Sequence, residues 1–234
     1  MQCKGGNMIY EDYRPHKFSD VIGQDNVIPV LLAQSRKDRF SHSYLFFGQS
    51  GTGKTTTARI VAMAMNCQHT VNGEPCGECS DCKAIAKGKH WDIIEIDGGR
   101  FGTVKNIRDL CYRAHYAPIG KHKVYIIDEA QQLSSESWGG LLKLLEETPK
   151  HLSIILCTTD NLRSDKIPET VISRCELYPF VSLKNESMVE KLRFIAGVEQ
   201  VSLNDDWLNW VVSFSGGNER TAECELGKRL CLEK

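Results

Sequence analysis

Five short apolar runs along the chain predict the strands of a β-sheet. Each has four to six residues, is rich in aliphatic or aromatic side chains, and is bounded by polar or turn-forming residues. The runs span residues 44–47, 91–96, 123–127, 153–157 and 176–180. Apolar strands of this kind, separated by helical segments, predict a parallel sheet that is covered on both faces.

Segments with apolar residues at helical spacing separate and follow these strands. Those within the strand-bearing part cover residues 25–37, 56–66, 104–114 and 138–145. From residue 183 onward only helical patterns remain, at 186–196, at 204–214 and from 219. We therefore predict an α/β part over residues 1–182, in which residues 1–8 are disordered, and a small helical lid over residues 183–234.

The strongest chemical signal is a glycine-rich loop between the first predicted strand and the helix after it. The loop reads G-x-x-x-x-G-K-T and consists of Gly48, Gln49, Ser50, Gly51, Thr52, Gly53, Lys54 and Thr55. Backbone N–H groups of such a loop, together with the positive end of the helix, hold phosphate groups. Lys54 can reach the β- and γ-phosphates, and the Thr55 hydroxyl can ligate Mg²⁺. Because the flanking strand and helix are the context that this P-loop motif requires, we predict a nucleoside triphosphate site.

A second signal is the acidic pair Asp128 and Glu129, which directly follows the apolar run at 123–127. In a parallel sheet the carboxyl ends of the strands line the ligand crevice. Asp128 is expected to hold Mg²⁺, directly or through water, and Glu129 to polarise a water for attack on the γ-phosphate. Acidic residues often end strands, but about 70 residues downstream of a P-loop the pair is a strong indication.

Three further features are candidates for nucleotide contacts. Thr159 follows the fourth apolar run and offers a hydroxyl where a γ-phosphate or its water could be sensed. Arg174 is either an ion-pair partner or a group that reaches the phosphate of a neighbouring subunit. The N-terminal segment that carries Tyr13, Arg14 and Ile22 either packs on an adenine or is a strap over the core, and its pattern does not separate these alternatives.

A cluster of cysteines predicts a metal site. Its members are Cys67, Cys76, Cys79 and Cys82. Four thiolates suit tetrahedral Zn²⁺ and leave no open position, so we predict a closed structural zinc site in the segment 67–90. Two alternatives stay open: His69 or His90 replaces one sulfur ligand, or the cysteines are free thiols without metal.

Composition limits the functional classes. Apolar residues make up 41% and charged residues 25% of the chain, as in soluble globular proteins, and no run of 18 apolar residues predicts a membrane span. The first residues do not resemble a signal peptide, so we expect a cytoplasmic protein. The net charge of −1 excludes a binder that covers nucleic acid with its whole surface. Lys105 and Arg108, early in the helix at 104–114, are therefore either a solvated face or a local contact to DNA phosphate.

Taken in order, these motifs resemble the gamma/tau subunits of the bacterial DNA polymerase III clamp loader, which are AAA+ ATPases. The similarity covers roughly residues 9–230. Beside the P-loop and the four cysteines, it rests on Tyr13-Arg14-Pro15, Val21-Ile22-Gly23-Gln24, Tyr116-Ala117-Pro118, residues 123–129, Thr158-Thr159-Asp160, Ser173-Arg174-Cys175 and Arg220. The cysteine module is the specific part, because AAA+ proteins in general lack it.

The resemblance implies an α/β fold of the AAA+ P-loop NTPase type. Its five-stranded parallel sheet would have the order 5-1-4-3-2 and be flanked by helices, with a zinc-binding insertion and a C-terminal helical lid. The resemblance also implies ATP hydrolysis that drives loading of the sliding clamp onto primed DNA, in an assembly classed with the DNA-directed DNA polymerases. The implied cofactors are ATP, Mg²⁺ and Zn²⁺. The implied partners are delta, delta-prime and further gamma/tau subunits, the sliding clamp and primed DNA, with no membrane.

The resemblance further implies a role for each matching residue. Asp128 and Glu129 correspond to the Walker B pair, and Thr159 to sensor 1. Arg220 corresponds to sensor 2, and Arg174 to the arginine finger that acts on the ATP of a neighbouring subunit. Such a finger contributes roughly 10³-fold or more in rate, so an isolated subunit is expected to hydrolyse ATP slowly. The remaining nucleotide contacts would be the P-loop residues with Tyr13, Arg14 and Ile22. The zinc ligands would be Cys67, Cys76, Cys79 and Cys82.

The sequence departs from the family pattern in four respects. The loop at residues 160–166 is a few residues longer than usual, and the usual E-I-D-A-A-S reads E-I-D-G-G-R at residues 95–100. The usual D-E-V-H-M-L-S reads D-E-A-Q-Q-L-S at residues 128–134. The family also continues into a helical collar domain that holds a pentamer together, whereas this chain stops at Lys234. We expect either a fragment or a short form whose oligomerisation differs.

Two other interpretations deserve comparison. A stator similar to delta-prime would share the cysteine module and Ser-Arg-Cys but not hydrolyse ATP, and the intact Lys54, Asp128 and Glu129 argue against it. Another AAA+ DNA remodeller, such as a branch-migration motor, would lack the cysteine cluster.

Overall fold

The structure, a computed structural model, describes residues 9–162 and 164–232. The predicted disordered start at residues 1–8 lies outside this part. Within the described residues, no helix combines the length and the apolar character that crossing a membrane requires.

Five parallel strands form the sheet at the centre of the fold. They are β1 (Ser43–Phe47), β2 (Ile93–Asp97), β3 (Lys123–Asp128), β4 (Leu152–Thr158) and β5 (Glu176–Pro179). Their spatial order is β2-β3-β4-β1-β5, which read from the other edge is 5-1-4-3-2 and confirms the expected topology. The second strand begins two residues later than predicted, because Trp91 is 84% exposed and precedes the pairing of Ile93 with Val124.

Eleven α-helices lie within the described residues. They are α1 (Ile9–Asp12), α2 (Ile28–Arg36), α3 (Lys54–Asn66), α4 (Ser80–Ala86), α5 (Gly98–Phe101), α6 (Val104–Ala114), α7 (Ser135–Glu146), α8 (Glu169–Ile172), α9 (Asn185–Val198), α10 (Asp205–Ser215) and α11 (Glu219–Leu232). Short 3₁₀ turns cover Phe18–Asp20 and Ala130–Gln132. The residues directly after β2 form the short helix α5, because the Asp97 carboxylate accepts hydrogen bonds from the N–H groups of Gly99 and Arg100.

Helices cover both faces of the sheet. On one face α3 packs with α2 and α4 over strand residues such as Phe46 and Ile126. On the other face α6 and α7 pack over the neighbouring positions, Leu45 and Tyr125. Successive strand residues point to opposite faces, so both sets are fully buried. This explains why the strands read as continuous apolar runs rather than as alternating ones.

The last three helices, α9 to α11, form a small core of their own. It contains Met188, Leu192, Leu208, Val211 and Leu226, all nearly inaccessible to solvent. Ile9 of α1 also packs into it, so the start of the described chain contacts the helical part rather than the sheet. The Asn204 side chain caps α10 by accepting from the Trp207 N–H, as its position before the apolar pattern predicts.

Candidate nucleotide-binding site and metal centre

The P-loop follows β1 at the carboxyl edge of the sheet. Phe47 at the end of β1 is in register with Thr158 at the end of β4, and Ile127 of β3 with Leu156. The loop, the acidic pair and Thr159 therefore leave the sheet side by side. Gly48 has a φ of 144°, and a Cβ there would lie 2.1 Å from the Phe180 carbonyl oxygen. Only glycine fits this close approach of two backbones.

Helix α3 begins at Lys54, so its first N–H groups have no partner within the helix and face the loop end. The 13-residue helix adds its positive dipole end at the same place. The Lys54 ammonium donates to the carbonyl oxygens of Gly48 at 2.7 Å and Gln49 at 2.6 Å. Burial lowers the pKa of Lys54, against the opposing effect of nearby acidic groups that include Asp128 and Glu129. An arriving phosphate would compete with two neutral carbonyl groups for a buried ammonium.

Thr55 and Asp128 are joined directly. The Thr55 hydroxyl donates to Asp128 Oδ2 at 2.7 Å, and the Glu129 N–H donates to Asp128 Oδ1 at 3.0 Å. Burial raises the pKa of Asp128, although these two hydrogen bonds oppose the effect. A hydroxyl and a carboxylate on adjacent elements are the oxygen ligands that Mg²⁺ uses with nucleotide phosphates, so this pair fits the predicted ion.

Glu129 adopts an unusual backbone conformation, with φ of 49° and ψ of 43°. A residue with a side chain rarely occupies this left-handed region, and such residues concentrate at functional sites. The Glu129 carboxylate lines the cleft beside Lys54 and Asp128. The Thr159 hydroxyl donates to Glu129 Oε2 at 3.1 Å, so the two residues predicted as base and sensor are in contact.

Gln131 joins the same group. Its Nε2 donates to Glu129 Oε2 at 2.5 Å and to Thr159 Oγ1 at 2.8 Å. Its Oε1 accepts from the Thr158 hydroxyl at 2.8 Å, and that hydroxyl accepts in turn from the Asp160 N–H at 3.0 Å. The amide thus connects the turn after β3 to the end of β4.

The N-terminal segment and the lid form the remaining walls of the cleft. Arg14, Ile22 and Arg220 line it, together with Tyr10, Pro15, Val21, Lys191, Glu219 and Glu223. The Arg220 guanidinium lies 5.6 Å from the centre of the Tyr10 ring, a cation–π contact that links the two walls. Tyr13 does not line this cleft. Its hydroxyl donates to Glu199 at 2.8 Å, and its side chain faces a neighbouring hollow beside α9.

The lid touches the P-loop through the turn before α11. The Asn218 side chain donates to the Ser50 carbonyl oxygen at 3.0 Å, and the Glu219 N–H donates to the Gly51 carbonyl oxygen at 3.2 Å. Asn218 also caps α11 by accepting from the Thr221 N–H. These hydrogen bonds join the P-loop directly to the start of the last helix.

A buried ion cluster supports the lid wall of the cleft. The Lys191 ammonium of α9 contacts Glu219 and, at 2.7 Å, Glu223, both on α11. Burial disfavours the charged ammonium, but the two carboxylates outweigh this effect and raise the pKa of Lys191. Burial raises the pKa of Glu223. The cluster ties α9 to α11 next to Arg220.

Arg174 lies after α8 and does not line the cleft of its own chain. Its guanidinium is partly exposed, forms an ion pair with Glu146 at 2.6 Å, and donates to the Thr170 carbonyl oxygen at 2.7 Å. Of the two alternatives from the sequence, the structure contains the ion pair. The exposed position is also compatible with a contact to a neighbouring chain.

The four clustered cysteines converge as predicted. The sulfur atoms of Cys67, Cys76, Cys79 and Cys82 all lie within 4.8 Å of one another. Backbone N–H groups point at three of them, for example from Cys76 to Cys67 Sγ and from Cys79 to Cys76 Sγ, each at 3.3 Å. Hydrogen bonds from Cys79 and Glu78 lower the pKa of Cys76 to about 6. A convergent set of thiols with N–H donors fits a metal that binds thiolates.

Neither histidine alternative is part of this cluster, whose metal-ligating atoms within the described residues are all sulfur. His90 instead contacts Asp81 at 3.5 Å and accepts a hydrogen bond from the Asp92 N–H. No disulfide bond joins Cys67, Cys76, Cys79 or Cys82.

Several residues of the site were not identified from the sequence. Gln24 donates to the carbonyl oxygens of Thr52 and Val181, which joins the N-terminal segment to the P-loop and to the end of the α/β part. Its place in the motif Val21-Ile22-Gly23-Gln24 was the available signal. Gln131 was visible only as a departure from the family pattern. Asn218 and Lys191 had no sequence signal, since each reads as an ordinary polar residue of a turn or helix.

The chain is similar in sequence to subunits of bacterial DNA polymerase III. Residues 23–184 match the family described as "DNA polymerase III, delta subunit". The chain is 40% identical over 215 residues to DNA polymerase III subunit tau of Bacillus subtilis, covering 92% of this chain and 38% of that protein. It is 38% identical over 216 residues to subunit tau of Escherichia coli, covering 92% and 33%. It is 37% identical over 216 residues to subunit gamma of Buchnera aphidicola, covering 92% of this chain and 59% of that protein. The chain thus spans between a third and three fifths of these relatives.

Among solved structures, the fold resembles the Holliday junction branch migration motor RuvB of Thermotoga maritima. The TM-score is 0.67 at 20% identity, covering 93% of this chain and 64% of that one. At this identity the likeness concerns the fold alone, and it confirms the predicted arrangement of a parallel sheet, flanking helices and a C-terminal helical part.

Proposed function

Since this chain belongs to the DNA polymerase III delta-subunit family, we propose that it is an ATP-driven motor subunit of the DNA polymerase III clamp loader, which loads the sliding clamp onto primed DNA. The observation that carries the proposal is the direct contact between the P-loop and the acidic pair. Thr55 bonds to Asp128, and Glu129 beside it bonds to Thr159, all at one end of the sheet. Among these residues, a base such as Glu129 is required for hydrolysis and not for binding of the nucleotide.

The substrate of the proposed reaction is ATP. The N–H groups at the start of α3 and the Lys54 ammonium would bind its phosphates. The Thr55 hydroxyl and the Asp128 carboxylate would hold Mg²⁺, which when bound neutralises charge on the phosphate oxygens. Glu129 accepts a proton from the attacking water while the water oxygen bonds to the γ-phosphorus. The bond from that phosphorus to the β,γ-bridging oxygen breaks, and ADP leaves with its electron pair.

Two arginines would stabilise the charge on the transferred phosphoryl group, one from the chain that binds the ATP and one from a neighbouring subunit. Arg220 of the lid lines the cleft of its own chain. Arg174 does not line that cleft and would serve the ATP of a neighbouring subunit, after exchange of its exposed Glu146 partner for phosphate. The partners would be delta, delta-prime and further gamma/tau copies, together with clamp and primed DNA. Such an assembly would be classed with DNA-directed DNA polymerases, although this chain would contribute only ATP hydrolysis.

The stator interpretation is disfavoured by the same residues. The family description names a delta subunit, whereas the compared relatives are named gamma or tau. A stator needs the Arg174 finger and the cysteine module but not a lysine and a carboxylate pair aligned on the phosphate site. Lys54, Asp128 and Glu129 are all present and line one cleft, which favours the hydrolysing type.

The cysteine module and the lid complete the proposal. Zn²⁺ would bind Cys67, Cys76, Cys79 and Cys82 and hold the segment 67–90 against α3. Residues 1–182 would act as the nucleotide-binding domain and residues 183–234 as a lid domain. The contacts from Asn218 and Glu219 to the P-loop would transmit the nucleotide state to the lid.

The test is ATP turnover by the chain alone and in a mixture with delta, delta-prime, sliding clamp and primed DNA. Slow turnover alone and strong stimulation in the mixture would support a motor that uses a neighbouring arginine. Equal turnover in both would instead indicate a self-sufficient ATPase. Lack of turnover in both, with clamp loading supported by the other subunits, would favour the stator.

A further inference from the structure

The amide of Gln131 is the centre of a complete hydrogen-bond network around the proposed catalytic base. Each polar atom of the amide has a role, since Nε2 donates to Glu129 Oε2 and Thr159 Oγ1 and Oε1 accepts from Thr158. The Thr159 hydroxyl accepts a hydrogen bond from Gln131 and donates one to Glu129 Oε2. Three elements, the end of β3, the following 3₁₀ turn and the end of β4, are thereby joined.

The direction of the amide is fixed by the protein. Thr158 is fully buried, and its hydroxyl accepts from the Asp160 N–H and donates to Gln131 Oε1. This leaves Nε2 on the side of Glu129, where a carboxylate requires a donor. With the amide reversed, its carbonyl oxygen would face a carboxylate. The orientation therefore follows from the partners at both ends.

We propose that Gln131 is a positioning residue for ATP hydrolysis, which holds the Glu129 carboxylate by one oxygen and couples it to the sensor Thr159. Both bonds to Glu129 use Oε2, so Oε1 is the oxygen left to accept the proton of the attacking water. The inference rests on the proposed function, because it assigns how the base of that reaction is oriented.

The backbone of Glu129 makes such a restraint necessary. Its left-handed conformation turns the side chain sharply away from the strand direction, and the carboxylate stands in a cleft rather than against a packed surface. A charged side chain with several rotatable bonds keeps one geometry only when its partners define it. Gln131 lies on the turn that directly follows, so it moves with Glu129.

The chain offers a matched control in the neighbouring residue. Gln132 lies on the same 3₁₀ turn but is exposed, and its side chain lies against Gly99 rather than in the network. Gln131→Met and Gln132→Met remove the same amide and keep nearly the same volume. The two variants should therefore differ in one respect: only Gln131→Met removes the hydrogen bonds to Glu129, Thr158 and Thr159.

The experiment measures kcat, KM and ATP affinity of the full chain in the reconstituted mixture with delta, delta-prime, clamp and primed DNA. For Gln131→Met we expect kcat to fall about 10- to 100-fold while the dissociation constant of ATP stays within about twofold, as expected for lost orientation of a catalytic group. Gln132→Met should match the wild type. Glu129→Gln, the reference for loss of the base, should be the slowest variant.

The outcomes separate the two proposals. Turnover by the wild type that persists unchanged in Gln131→Met, while Glu129→Gln is inactive, would overturn the role of Gln131 and leave the proposed function in place. An equal loss of ATP affinity and kcat would also overturn it, because Gln131 would then support the fold of the cleft. Absence of turnover in the wild type would overturn the proposed hydrolysis, and the role of Gln131 with it.

Discussion

The Thr55 hydroxyl donates a 2.7 Å hydrogen bond to Asp128 although 73 positions separate the two residues. The bond joins the start of α3 to the end of β3 across the strand β4 that lies between β1 and β3 in the sheet. It defines the place where a divalent cation would lie between the P-loop and the acidic pair. The predictions below start from this geometry.

Replacement of Thr55 should abolish the contribution of Mg²⁺ to nucleotide binding. We expect Thr55→Val to bind ATP with the same affinity in Mg²⁺ and in EDTA, because the substitution removes an oxygen ligand of the ion and a hydrogen bond to a charged group. The loss corresponds to about 1.5–3 kcal/mol of binding free energy, which raises the dissociation constant roughly tenfold or more. Thr57→Val is the matched control, since the Thr57 hydroxyl is buried in the same helix and has no hydrogen-bond partner among the described residues. Titration of both variants with a fluorescent ATP analogue checks this. A Thr55→Val protein that keeps the full Mg²⁺ effect would contradict the assignment.

Replacement of Lys54 should abolish detectable nucleotide binding. Each charge-assisted hydrogen bond contributes about 1.5–3 kcal/mol, so loss of the ammonium in Lys54→Ala should weaken ATP binding more than a hundredfold. Lys105→Ala, which removes an exposed lysine from α6, is the control. Isothermal calorimetry of both variants provides the measurement. Unchanged affinity of Lys54→Ala would remove the P-loop assignment.

Arg174 should matter for turnover in the assembly and little for the chain itself. We expect Arg174→Ala to lower the stimulated ATPase rate about 10³-fold and to leave ATP affinity unchanged, as for an arginine that acts in trans. Its surface ion pair with Glu146 contributes only about 0–1 kcal/mol, so the melting temperature should change little. Arg193→Ala, which removes another exposed arginine in an ion pair, should retain full activity. The finger assignment fails if both variants are equally active in the reconstituted mixture.

The cysteine cluster should contain one zinc ion per chain in reduced protein. Cys76→Ser should lower the zinc content and increase hydrogen exchange over residues 67–90, while ATP affinity stays mostly intact because the cluster lies outside the cleft. Cys111→Ser alters a thiol outside the cluster and should change neither quantity. Elemental analysis that finds no zinc in the reduced wild type would eliminate the metal assignment.

A buried histidine should make stability depend on pH. Burial, together with the smaller effects of the neighbouring His42 and His151, lowers the pKa of His122 to about 4. In the unfolded chain the ordinary pKa is about 6.5. Between about pH 6.5 and 4 the unfolded state therefore binds a proton that the folded state does not. The free energy of unfolding consequently decreases as the pH is lowered from about 6.5 to 4.

The effect can be isolated with a pair of variants. Between pH 7 and 4.5, His122→Gln should lose less unfolding free energy than the wild type, whereas His16→Gln, at an exposed position, should follow the wild type. Urea denaturation at both pH values measures the difference. Groups shared by all three proteins, including the cysteine cluster, cancel in this comparison. The same pH dependence in His122→Gln and in the wild type would show that His122 titrates normally.

The elements of the sheet and the chemistry of its loops were predictable because their requirements are local. A P-loop needs glycines, a lysine and a threonine at fixed spacing, and the neighbouring Asp128 and Glu129 need only a strand end. Four closely spaced cysteines converge because the turns between them are short. The order of the strands required the resemblance to a family, since apolar runs alone do not specify which strands are neighbours.

Only the tertiary structure decided which distant residues meet. Asn218 reaches the P-loop at Ser50 from 168 positions away, and Tyr13, expected at the nucleotide, instead bonds to Glu199. Such contacts depend on how the lid packs on the sheet, and a polar residue in a turn carries no mark of its future partner. Gln131 shows the same limit: the sequence by itself predicted a base at Glu129 and a sensor at Thr159, but the amide that joins these two residues became evident only when the ends of β3 and β4 were side by side, because a hydrogen bond requires atoms within about 3 Å.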